Sequence, residues 1–554
     1  MASEGKKERV LIIGLDGATF DLIDPLIARG KLPNLQKLIA DGVRGPLEST
    51  IPANSFPGWT SCTTGVNPGK HGIYYSLIRQ ENSYLLKLMS SSDVKARRLW
   101  QILNRYGKKT GVINVPGDYP PSEVDGFIVT GMLTPGLDSR LTYPESLKSE
   151  LLEAIGDYII DVPISDADKD EIIDRLHYAL DRRIAAADYL MKRFDWDFFM
   201  VVLTELDRAQ HLYWADMDVE HPLHTQEGGE KFGRAIESVY EHCDRGIGEL
   251  MKNIDWQTRV LIVSDHGFAA HYKRFFINRW LLQKGLLALK DEFRSNGLTA
   301  RLGRKVRSTF YVLRSTLEIE HRTSNVERRA PNVSKWQRKI ENENSTLSRI
   351  DWSRTKIYFA QHGGLRVNLR GREPEGIVEP GAEYQSLIEQ VRSELLKLRL
   401  PDSNQLIFDR VVSKEEVYWG PFLDSAPDLI PIGKERCQLS KDIDQKHLFI
   451  DIPRGGHDKY GILIASGPNI ARGRKIEGAH LMDITPTALY MLDCPITEDM
   501  DGRVLEELFE EDFPSRRPLR REGLSQLQAG DTSAFTAEEE RELEERLRGL
   551  GYIG

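Results

Sequence analysis

The stretch VLIIGLDG, residues 10–17, decides the fold. A strand with one wet face alternates apolar and polar residues, whereas a short unbroken apolar run reads as a strand covered on both sides. Asp16 leaves the end of this run between Gly14 and Gly17, which free the backbone to turn where a carboxylate departs from a sheet edge. The same sentence is repeated by TGVINV (110–115), FFMVVL (198–203) and RVLIVS (259–264), each with a polar or charged residue just past its end. Helical patterns such as FDLIDPLIARG (20–30) and IESVYEHCDRGIGELMKNI (236–254) lie between them. Alternating strands and helices predict an α/β fold: a mostly parallel sheet sandwiched by helices, with ligands bound beyond the carboxyl ends of its strands.

Working outward, one catalytic-type domain is expected over 8–505, interrupted twice. Residues 134–195 read as mostly helical and polar. Residues 275–353 are long, irregular and basic, with Arg301, Arg304, Lys305, Arg307, Arg314, Arg328, Arg329, Lys335, Arg338 and Lys339 outnumbering the acids. Both read as inserted, cap-like segments, the second a lid or cap. The tail, 506–554, contains a capping box from Thr536 to Glu539 and a charged helix that ends at glycine.

With 554 residues and a net charge of −9, the chain can bury a large core and lacks the basic surface that nucleic-acid binding needs. Cys62, Cys243, Cys437 and Cys494 form no CxxC pair, so neither a disulfide framework nor a thiolate zinc site is expected. The lead MASEGKKERVLIIGLDG has too short an apolar run for a signal peptide or a membrane span, so a cytoplasmic location is expected. Oligomeric state leaves no mark on the sequence.

The candidate chemistry sits at the strand ends. Asp16 alone is as good a turn cap as a metal ligand. In TELDRAQHLYW (204–214), Asp207 and His211 are four apart, which on a helix puts both on one face within reach of one ion or of each other. In IVSDHGF (262–268), the adjacent Asp265 and His266 point together only if they lie in a turn. RGGHDKYGILIASG (454–467) adds the loop residue His457. Nitrogen and oxygen donors without thiolate suit two divalent ions, zinc first and manganese next. In IPANSFPGWTSCTTG (51–65), Ser55 stands one residue ahead of Phe-Pro, an ordinary helix start in which its hydroxyl caps the chain. A serine at such a place can also attack a bound phosphate.

In order along the chain, GLDG, NSFPGWTSCTTGVNPGKHGI, ELDRAQH, SDHG and GGHDKYG resemble the alkaline phosphatase superfamily, and most closely its type I phosphodiesterase/nucleotide pyrophosphatase branch. The resemblance covers roughly residues 8–80, 198–280 and 355–495. It implies a metal-dependent phosphoric-ester hydrolase acting on a small-molecule phosphate ester. Asp207, His211 and His457 would hold one metal; Asp16, Asp265, His266 and the Ser55 oxygen would hold the other. Ser55 would be the nucleophile, activated by metal ligation in place of a histidine base, with the helix from Phe56 lending N–H groups to the phosphoryl oxygens.

Ser76 stands where the nucleotide pyrophosphatases carry an asparagine, and Trp59 occupies the arginine position of a sulfatase frame. The second departure argues against sulfatase chemistry. Alternatives within the superfamily are a phosphomonoesterase or phosphomutase, which would want a further cation such as Lys70, Arg79 or Lys273. A noncatalytic protein binding through its basic insertion is the alternative outside it. His480 reads as structural, as do His221, His224, His271 and His362, and TALYMLDCP (487–495) as a packing helix.

Overall fold

The computed structural model describes residues 7–164, 169–293, 344–361, 363–433 and 437–523. The expected tail helix, His362 and the ten basic residues of the 275–353 segment lie outside them.

The four apolar runs become β1 (Arg9–Leu15), β3 (Thr110–Ile113), β6 (Phe198–Leu203) and β7 (Thr258–Val263). With β2 (Val43–Glu48), β4 (Gly126–Val129) and β5 (Thr142–Tyr143) they belong to a ten-stranded sheet. The sheet also takes in β11 (Tyr460–Ser466), β12 (Arg474–Lys475) and β13 (Ala479–His480). Its order is β12-β2-β11-β7-β1-β6-β3-β4-β5, with β13 also pairing with β2. The middle run from β7 through β1, β6 and β3 to β4 is parallel, while β11 is antiparallel to both β7 and β2.

Why the runs are unbroken is visible in β1. Leu11, Ile13 and Leu15 face one buried cluster, whereas Val10 and Ile12 face another. The first cluster is closed by α3 (Lys169–Arg193), α4 (Glu205–Met217) and α5 (Ala235–Leu250). The second is closed by residues of α2 (Ser55–Thr64) and α6 (Ile484–Met491), α1 (Phe20–Ala28) lying with the first group. TALYMLDCP is accordingly a packing helix.

The 134–195 segment contains a helix over Leu147–Ile155 and the long α3, and α3 buries Ile172, Leu176, Ala179, Leu180, Ala186 and Leu190 in the core beside β6. That helix is a layer of the domain and not a cover laid over a site. Nor does the fold change at residue 275, because β8 (Gly267–Phe276) runs through it in a three-stranded ribbon with β9 (Cys437–Ser440) and β10 (Phe449–Asp458). Phe275, Trp280 and Leu281 then join a further core beneath a four-stranded sheet built from Ile357–Gln361, Gly364–Val367, Leu429–Gly433 and Phe408–Ser413. Among the described residues no helix is long and apolar enough to cross a membrane.

Candidate functional site

The candidate side chains gather at the carboxyl edge of the sheet, most of them where the backbone changes direction. Asp16 follows β1, and Gly17 takes φ +75°, a left-handed conformation that glycine adopts without strain. Asp207 and His211 lie one turn apart near the start of α4, which follows β6 directly. Asp265 and His266 occupy the bend between β7 and β8, and His457 comes from β10 just before β11. The bend lets two adjacent side chains converge.

Two ligand groups result: Asp16, Asp265 and His266, and Asp207, His211 and His457. In the first, His266 Nε2 lies 3.6 Å from Asp16 Oδ1 and 3.3 Å from Asp265 Oδ2. Ser55 joins it, with Oγ 3.3 Å from Asp16 Oδ1 and 3.2 Å from His266 Nε2. In the second, Asp207 Oδ1 lies 3.3 Å from His211 Nε2 and 3.2 Å from His457 Nε2. The rings of His266 and His457 stack with centroids 3.8 Å apart, so the two groups share a wall.

The donor atoms fit metal ions. His211, His457 and His266 each point Nδ1 at a backbone carbonyl, of Gly455, Ala53 and Gly267 respectively, at 3.1, 3.2 and 3.0 Å. A carbonyl only accepts, so Nδ1 carries the proton and the neutral ring turns the Nε2 lone pair inward. Asp207 Oδ1 and Asp265 Oδ2 are buried without a hydrogen-bond donor. The Nε2 atoms of His211 and His457 face each other at 2.9 Å, both beside Asp207 Oδ1. Such converging lone pairs repel unless a cation or proton sits among them.

Protonation follows the same logic. Burial, then the charges of Asp265 and Asp207, push the Asp16 carboxyl well up. Burial and Asp207 likewise push Asp265 up. Burial opposes ionisation of Asp207, but His211 and His457 overcome it and hold its carboxyl well below the usual range. Burial, and then the His457 charge, drive His266 well down.

Ser55 is not the helix cap. Asn54, in an extended conformation, accepts the Phe56 N–H at 3.3 Å, and α2 starts at Ser55 itself. With Asn54 capping, the Ser55 hydroxyl turns to Asp16 and His266 instead. The N–H groups expected from Phe56 onward are spoken for, since Gly58 N–H goes to the Asn54 carbonyl and Pro57 has none. The helix start therefore offers its dipole and not those N–H groups.

One contributor was visible in the sequence only as an exclusion. Trp59 Nε1 donates to Asp16 Oδ2 at 2.9 Å, and its ring lies so close on β1 that a Cβ at Gly14 would sit 2.5 Å from it. Gly14 thus makes room for the indole that aims Asp16. The three cations considered for phosphate contact are engaged elsewhere: Lys70 with Asp501, Arg79 with Glu373, and Lys273 with Asp402 and Asp451. His480 caps the short 3₁₀ turn Leu481–Asp483 ahead of α6, where its Nδ1 accepts from Met482 N–H, and His224 Nδ1 donates to Ala215 O.

The fold is similar to that of human ectonucleotide pyrophosphatase/phosphodiesterase 5, with a TM-score of 0.51 at 13% identity over 91% of this chain and 100% of that one. The murine protein, in an inactive form in complex with AMP, gives 0.50 at 12% over the same shares. Phosphonoacetate hydrolase from Sinorhizobium meliloti, in complex with phosphonoformate, gives 0.50 at 13% over 88% and 96%. No curated protein sequence matches the chain. Its residues 10–460 do match a family profile, and the chain belongs to the type I phosphodiesterase/nucleotide pyrophosphatase family.

Proposed function

We propose that this phosphoester hydrolase cleaves phosphodiesters or pyrophosphates by attack of Ser55 Oγ on phosphorus, at a centre that holds two divalent cations, zinc before manganese. The observation that carries the reading is the convergence of Ser55 with Asp16 and His266 beside a second group of Asp207, His211 and His457. When bound, the cations supply positive charge that lowers the pKa of the Ser55 hydroxyl and balances charge on the phosphoryl oxygens.

In the first half-reaction Ser55 Oγ forms a bond to phosphorus, the ester bond to the leaving oxygen breaks, and the hydroxyl proton passes to solvent water. Asp16 is held in place beside Ser55 by Trp59 Nε1. Water then attacks the phosphoseryl group, the phosphorus–Oγ bond breaks, and Ser55 regains a proton as the phosphate product leaves. A dianionic monoester wants an extra basic side chain on its oxygens, and Lys70, Arg79 and Lys273 are all paired with carboxylates. Their engagement favours diesters over the phosphatase and mutase alternatives. We place the protein in the cytoplasm, where its four free cysteines stay reduced, a location that cell fractionation tests.

The deciding experiment compares bis-p-nitrophenyl phosphate with the mono-ester, using zinc- or manganese-loaded protein and Ser55→Ala. Diester turnover should exceed mono-ester turnover and fall on the order of 10⁴-fold or more in the variant. Mono-ester preference would move the assignment to a phosphatase. Unchanged turnover in Ser55→Ala would remove Ser55 as nucleophile.

A further inference from the structure

Asp207 is the one carboxylate of its ligand group, and its two oxygens have different surroundings. Oδ1 faces His211 and His457, whereas Oδ2 accepts from Arg208 Nη1 at 3.1 Å. Neighbouring residues on a helix do not face each other, so a guanidinium reaches back to the preceding carboxylate only if something turns it. That something is Asp161, in the connection ahead of α3. Its Oδ1 accepts from Arg208 Nε at 3.0 Å and its Oδ2 from Nη2 at 3.3 Å. This two-toothed grip is the geometry that fixes an arginine plane most firmly. The three side chains are nearly buried, at 8% exposure for Asp161, 12% for Arg208 and 4% for Asp207.

We propose that Asp161 and Arg208 are positioning residues for metal binding by Asp207, an inference that rests on the two-metal reading above. The chain of contacts Asp161 to Arg208 to Asp207 Oδ2 fixes the carboxylate plane so that Oδ1 stays turned to the two imidazoles. Charge is balanced in the same stroke. Asp161 offsets the guanidinium, which would otherwise draw electron density from Asp207 and compete with the cation. The segment that carries Asp161 falls within residues 134–195, outside the motifs of the site, so this brace comes from a part of the chain with no ligand of its own.

The test measures zinc dissociation constants by chelator competition on folded wild-type protein, Asp161→Asn and Arg208→Lys, with His211→Ala to identify the ion held by Asp207. Carboxylates and histidines that orient a metal ligand typically set affinity by 10- to 100-fold. Asp161→Asn and Arg208→Lys should each weaken that one ion about tenfold and leave the other unchanged. A bridge that serves only folding would lower the melting temperature of the metal-free variants while leaving both constants at wild-type values, which overturns the proposal. If Asp161→Asn does not fold, the constant for Arg208→Lys decides. A direct role for Arg208 on substrate would show as a raised KM in Arg208→Lys with unchanged zinc affinity, and it too overturns the proposal. Should the wild-type protein bind no zinc, the two-metal reading itself fails, a result distinct from equal affinities in all variants.

Discussion

The two ligand groups each hold three carboxylate or imidazole donors yet differ in charge and access. Asp16, Asp265 and His266 have side chains exposed by 1%, 0% and 0%, against 4%, 21% and 18% for Asp207, His211 and His457. In the buried group two carboxylates repel one another, and each is pushed toward its neutral form. In the open group a single carboxylate is held ionised by two histidines, and His457 is itself raised by its bond to Asp207, despite burial. A proton shared there substitutes in part for a cation, whereas the buried group without a cation is relieved only when a carboxyl gives up its charge. The lesson is that the group beside Ser55 has the greater need for a cation and the poorer path for losing one.

The largest test of this contrast removes one ligand from each side. Asp265→Asn should lower turnover on the order of 10³-fold or more, because it strips charge from the group that holds Ser55. In metal-free protein the same variant should melt higher than wild type, since a carboxylate repulsion is gone, whereas with zinc it should melt lower. Brief chelation of wild-type protein should release one equivalent of zinc first, and His211→Ala should lack that equivalent from the outset. Elemental analysis during chelation breaks the comparison if the equivalent lost first is the one that Asp265→Asn removes.

A second contrast sets the site against the scaffold beside it. Just past α2, His71 is wholly buried, accepting from Ile73 N–H at Nδ1 while Nε2–H donates to Ser61 Oγ at 2.9 Å. Burial, aided by the Arg98 charge, lowers its pKa to about 3. A depressed histidine leaves the unfolded chain binding more protons, so its stability contribution is full above about pH 6.5 and is lost as pH falls toward 3. Asp118 runs the other way: burial raises its carboxyl to about 7, so its contribution is present below the ordinary carboxylate range and is lost as pH rises through 7. The two slopes oppose each other between pH 4 and 6.5. In metal-free protein, His71→Gln should therefore gain melting temperature relative to wild type on acidification across that window, and Asp118→Asn should lose it. Parallel melting curves for all three proteins would show that neither group titrates as placed.

Much of this site was legible because its candidate ligands obey local rules. Asp207 and His211 are spaced by one helical turn, Asp265 and His266 share a glycine-flanked bend, and Asp16 ends an unbroken apolar strand. What was not legible depends on distant pairing or on a choice between neighbours. The grip of Asp161 on Arg208, like that of buried Arg183 on Glu205 at 2.7 Å, joins residues brought together only by packing of α3 and its approach against α4. The core face of α3 is diluted by charged residues on its outer side, which hid a structural layer behind a polar composition. The ribbon of β8 and β10 carries histidines, glycines and arginines that break strand periodicity, so it did not announce itself. The cap was misplaced by one position because Asn54 and Ser55 are equally good capping residues, and only the extended backbone of Asn54 separates them.

That one-residue choice carries the smallest predicted effect and a sharp consequence. A cap hydrogen bond from an asparagine is worth about 1 kcal/mol, so Asn54→Ala should cost about that much in denaturant unfolding. Ser55→Ala should leave the cap in place, because the acceptor for Phe56 N–H is Asn54 Oδ1. The two variants thus separate stability from chemistry at adjacent positions: Asn54→Ala lowers the unfolding midpoint, whereas Ser55→Ala removes turnover. Had the helix begun one residue later, with Ser55 as cap, its hydroxyl would be bound to backbone N–H and unable to sit 3.3 Å from Asp16 and 3.2 Å from His266. An exchange of the two phenotypes, with Ser55→Ala destabilising and active, would return the hydroxyl to a capping role and leave the buried ligand group without its nucleophile.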